Sequence, residues 1–337
     1  MPFRPIITST ALLLTSCVQS DPIPGPVMMQ HGSQGTMFVA NKRGASLSRI
    51  DIANGEETHR AETCENPHEV TVSPDDSKVM VACYSGRSLQ VFETNDLTPV
   101  REIQLGENAR VHAAIWHDDY RVVAGAEGRG SVYTIDGLAA NDENLVEIGG
   151  DGPGPHLIAV HPDGSTAWGT IIPTGEVVRY DLNTGREVAR RRIGEAIEAL
   201  ALSPDGESLW VSSNTDSVAY RLDPMTLEVQ AEVTTGEVPI RLAMHPSGDF
   251  LVSSNFGSGD LTVIDIKSNR VVRTIPVSGS RDAVQVTLVF SEDGSRLYAA
   301  ETATDTIAEI DFATGEVLRR LPTGPGGDGL AVIAAAP

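Results

Sequence analysis

Three cysteines in 337 residues, with no Cys-x-x-Cys-His among them, exclude covalent attachment of a c-type haem to this chain. Gly-x-Ser-x-Gly is absent, so there is no nucleophile elbow of the usual hydrolase kind. A phosphate-cradling Gly-rich loop and an EF-hand loop are absent too. Basic residues are scarce: 25 Lys and Arg stand against 46 Asp and Glu, a formal charge of −21. Such a field repels nucleic acid and anionic lipid surfaces, so neither is expected as a partner. Long apolar runs are also missing. Ile6, Ile7 and Ala11-Leu12-Leu13-Leu14 make an apolar stretch too short to cross a bilayer as a helix.

That stretch follows Arg4 and reads as a targeting segment rather than fold. It ends in Leu14-Thr15-Ser16-Cys17, which resembles a bacterial lipobox. The resemblance implies that Cys17 is acylated, and Val18 after it implies the periplasmic side of the outer membrane. The lipid would then be the chain's one link to a membrane. Residues 18–35, with Asp21-Pro22-Ile23-Pro24-Gly25-Pro26, read as a flexible tether. Residues 36–337 remain for one folded domain.

What is present is a repeat. An acid closes a strand-like run at Asp51, Glu93, Asp136, Asp181, Asp223, Asp265 and Asp311, at spacings of 42, 43, 45, 42, 42 and 46. A period in the forties, built from short alternating strands, predicts an all-β propeller of seven blades with four antiparallel strands each. One copy shows the pattern: the turn Ser203-Pro204-Asp205-Gly206, a strand over Leu209 to Asn214, another over Val218 to Leu222, and an alternating strand from Glu228 to Val233. The chain opens on a second strand from Met37 and finishes on an inner strand, Leu330 to Ala334. The last strand is therefore expected to complete the first blade and remove its open edge.

Leu209 to Asn214, Leu251-Val252-Ser253-Ser254-Asn255 and Thr262-Val263-Ile264-Asp265 make the chain resemble the YVTN-type seven-bladed propellers, over residues 36–337. That superfamily includes binding proteins, lactonases and subunits of quinoprotein dehydrogenases, so the resemblance implies a fold more than an activity. Pro155-His156 resembles the Pro-His-x-His strand of seven-bladed lactonases, but Ile158 stands where the second His belongs. The reading is an exported, lipid-anchored, monomeric scaffold that binds an envelope protein or a small molecule. A lactonase-like hydrolase or a quinoprotein-type dehydrogenase subunit is the alternative.

In such a fold the loops entering the inner strands ring the axial mouth, the default place for a ligand. The entering positions carry His68, Glu69, His112 (or Arg110), His156, Glu198, Arg241 and Asp328. The three histidines suit a base beside carboxylates, or a metal, but equally three imidazoles bonded to their own loops. No metal-ligand spacing supports an ion, and no cofactor is expected. The opposite face shows only Pro-Asp-Gly turns, and the principal ligand pocket is not expected there. Arg190-Arg191-Arg192 reads as a charged sheet edge. Cys64 and Cys83 fall near each other across the hairpin centred on Asp75. A disulfide and two free thiols are both open.

Overall fold

The computed structural model describes Met1 and residues 34–118, 120–136, 144–150 and 152–335. Cys17, the targeting segment and nearly all of the tether lie outside the described residues. Ser33–Pro337 is one compact unit.

Its strands form seven sheets of four antiparallel strands each. The first sheet takes its inner strand from Gly327–Ala334, which pairs with Gly35–Asn41. Chain end and chain start thus close the ring in one blade. The first strand begins at Gly35, one residue inside the expected tether. The inner strands of blades two to seven are Pro67–Val72, Val111–Trp116, Ile158–Val160, Ile197–Leu202, Pro239–Met244 and Gln285–Phe290.

The repeated acid has a local cause. Asp51, Asp181, Asp223, Asp265 and Asp311 each accept a backbone N–H two or three residues on, at 2.7–3.0 Å. These Asx turns end the third strand and start the outer one. The fifth copy differs slightly, its strand stopping at Leu222 with Asp223 in the turn. Glu93 is too long for that role and pairs with Lys78 at 2.9 Å, while Asp96 caps Thr98 instead. The strongest signal in the sequence is therefore structural.

Second strands fill the space between blades. Val79 to Cys83 is wholly buried, as are Phe38, Trp168, Trp210 and Tyr298. Outer strands are charged: Glu56–Glu62 is exposed almost throughout. On the fourth blade's outer strand, Arg190 is bound by Glu187 at 2.9 Å and Glu176 at 3.1 Å, and Arg191 lies 3.5 Å from Glu228. The Arg triplet is thus laced into its own strand edge and onto the next blade. Cys64 and Cys83 are joined, with Cα atoms 5.8 Å apart. Pro67 lies opposite Cys83 in the register, and the chain folds back at Asn66, which adopts φ 55°. The bond ties the entrance of one mouth strand to the exit of the next.

Candidate functional site

The axial mouth gathers the expected residues into one network. Asp328, on the closing strand, receives Lys42 at 2.9 Å and the Thr287 hydroxyl at 2.8 Å. Lys42 Nζ also lies 2.8 Å from His68 Nε2. His68 Nδ1 is 3.3 Å from Glu69 Oε1, which accepts from Arg241 at 2.5 Å. Arg241 in turn lies 3.9 Å from Glu198. His156 sits between two carboxylates, with Nδ1 3.1 Å from Glu127 and Nε2 3.4 Å from Glu198. Arg110 closes the chain of contacts, 3.3 Å from Glu127 and over the ring of Tyr84, whose hydroxyl it also meets.

His112 occupies the middle. Its ring packs on His68 at 3.9 Å and on His156 at 3.6 Å between centroids, with Tyr84 edge-on at 5.2 Å. The doubt between Arg110 and His112 resolves into two levels. His112 is wholly buried in the inner strand, while Arg110, at φ 48°, holds a half-exposed guanidinium at the rim.

The charges set one another. Burial alone would raise Glu69 and Glu198, but Arg241 and His68 together outweigh it at Glu69, and His156 with Arg241 outweighs it at Glu198; both stay below the usual range. Burial likewise opposes Asp328, yet His68, Lys42 and Arg241 hold it at about 2. Burial disfavours the His156 cation, but hydrogen bonds to Glu127 and Glu198 raise its pKa above the ordinary value. His112 goes the other way. Burial, then its cationic neighbours, push it well below 6.5, so it stays neutral.

Several residues at the exits from the second strands do not join this network. Asn41 and Asn255 brace their own hairpins, and Glu301 holds Arg320 at 2.7 Å. Tyr84 and Glu127, at other such exits, do join it, as does Arg110; Lys42 and Thr287 are the additions. Lys42 directly follows a second-strand exit, a position that could have marked it.

Two recesses matter. One, of about 170 Å³, is lined by Arg110, Glu127, Gly154, His156 and Pro173 at the mouth. Gly154 is what allows it: a Cβ there would come within 2.6 Å of the Ala126 and Glu127 carbonyl oxygens. The other, about 480 Å³, lies at the opposite end between the sixth and seventh blades, beside His245, Phe250 and Phe312. That face was not expected to hold the principal ligand pocket. The turns there are simple, but the aromatic side chains behind them leave a notch. It is largely apolar and carries no carboxylate, unlike the mouth.

Residues 9–272 match the family model of the seven-bladed β-propeller lactonases. The chain belongs to that family. No curated protein matches this lactonase-family propeller in sequence. Among solved structures it is similar to the dihydro-heme d1 dehydrogenase NirN in complex with DHE, at 19% identity and a TM-score of 0.64, over 87% of this chain. It spans 64% of that structure's chain, and the likeness at this identity is one of fold.

Proposed function

We propose that this propeller hydrolyses a lactone bearing an anionic group, at the axial mouth. One observation carries the reading: His156, clamped between Glu127 and Glu198, lines a recess whose rim holds the half-exposed Arg110. The family match supports a lactone over an assembly partner, although Ile158 still departs from the Pro-His-x-His pattern.

In this reading Glu127 fixes Nδ1, and the longer Nε2 contact to Glu198 is the one a water enters. Neutral His156 takes a proton from that water as its oxygen attacks the lactone carbonyl carbon. The acyl–oxygen bond of the ring breaks. The imidazolium returns the proton to the leaving alkoxide, and the product is a hydroxy acid. Arg110 holds the substrate's anionic group. Export and the Cys17 anchor belong to the same proposal, and the Cys64–Cys83 bond supports an oxidising compartment.

The test is a panel of γ- and δ-lactones, with and without a carboxylate, offered to the purified chain. Turnover is expected, preferring the anionic members. His156→Gln should abolish it, and Arg110→Ala should raise KM for the anionic members alone. No turnover, or full activity in His156→Gln, would overturn the reading.

A further inference from the structure

We infer that His68, Glu69 and His112 form a binding site for one divalent first-row transition-metal ion, distinct from the His156 recess. Two independent observations meet there. Among the described residues, His112 is wholly buried, yet neither ring nitrogen has a hydrogen-bond partner. Native interiors seldom leave such a group unsatisfied, and a missing ion is one of the ordinary reasons. In addition, one donor atom each from His68, Glu69 and His112 lies within 4.8 Å of the other two.

The geometry is close to what an ion needs. Metal–ligand bonds of about 2.0–2.2 Å put neighbouring donors roughly 3 Å apart. His68 Nδ1 and Glu69 Oε1 are already at 3.3 Å, and a ring nitrogen of His112 completes a set within 4.8 Å. Two imidazoles and a carboxylate suit zinc, cobalt, copper or iron rather than magnesium or calcium, which favour oxygen alone.

The neighbouring cations do not close the site. Arg241 engages Glu69 through Oε1, and that oxygen keeps a further lone pair to offer. Lys42 has Asp328 at 2.9 Å and can release His68 Nε2. Asp328, 4.0 Å from that nitrogen, is placed to accept its proton once Nδ1 binds metal, the usual orienting contact around a metal-bound histidine. Around the mouth, the four carboxylates Glu69, Glu127, Glu198 and Asp328 face three permanent cations, Lys42, Arg110 and Arg241.

The test uses the full folded chain, stripped with chelator and titrated with Co²⁺. Expected are one Co²⁺ per chain, a visible d–d band, and displacement by Zn²⁺. Glu69→Gln and His112→Gln should weaken binding at least tenfold, while His161→Gln, remote from the mouth, should not. Because His112 is buried, its variant risks misfolding. Cu²⁺ paramagnetic resonance on the parent chain therefore supplies a second readout, with hyperfine structure from two imidazole nitrogens expected. Absence of stoichiometric Co²⁺, unchanged binding in Glu69→Gln, or a copper signal from fewer than two nitrogens would each overturn the proposal. None of these readouts depends on lactone turnover.

Discussion

Replacing Arg241 by Met keeps most of the side chain's bulk but removes the one cation that touches both Glu69 and Glu198. Arg241 is 7% exposed, so its carboxylate partners cannot simply turn to water. Breaking a buried pair from one side typically costs about 3–5 kcal/mol, because the other charge stays behind. For a folded domain of roughly 300 residues that corresponds to a midpoint lowered by about 5–8 °C. The sign with pH is also defined. Paired Glu69 and Glu198 have depressed pKa values in the parent. Their contribution is therefore present above the unfolded value of about 4.3 and is lost as pH falls through the folded values. The gap between parent and Arg241→Met should thus be widest near neutral pH and narrow towards about pH 4. Scanning calorimetry of both proteins across that range reads it directly. A midpoint within about 1 °C of the parent near pH 7, or a gap that ignores pH, would refute the reasoning that these contacts form a buried, mutually dependent network.

Further expectations concern the frame. Deleting residues 327–335 exposes the edge of Gly35–Asn41 and should yield unfolded or oligomeric chain by size-exclusion chromatography rather than a trimmed monomer. Cys64→Ser should lower stability by roughly 3 kcal/mol in denaturant titration, as expected for a crosslink spanning 19 residues. Under the proposed export and anchoring, Cys17→Ser should move the chain from membranes to the soluble periplasmic fraction on cell fractionation.

Much of the fold was legible because one unit is written seven times in phase. The Asx turns at Asp181, Asp223, Asp265 and Asp311 demand a short acid at one place in each of these blades, and that demand is visible as a period. The mouth was legible only as a list of positions. Whether His112 or Arg110 faces the axis depends on a positive-φ residue at the strand entrance, which no periodicity reveals. The network itself spans blades: Arg241 and Glu69 are 172 residues apart. Such contacts follow from ring closure, not from local pattern. The burial of Arg241 between two carboxylates is likewise a product of ring closure. The notch beside Phe312 was missed because turn residues say nothing of the rings packed behind them.

The most direct test of the account is the pH dependence of kcat/KM for an anionic lactone in the parent and in Glu127→Gln. Hydrolysis requires His156 neutral, and its carboxylate contacts raise its pKa. The parent rate should therefore rise with pH through an inflection above 6.5. Removing the Glu127 charge should move that inflection downwards while slowing the plateau rate. A flat profile, or an inflection that Glu127→Gln leaves in place, would contradict the assignment of His156 as the base of this mouth.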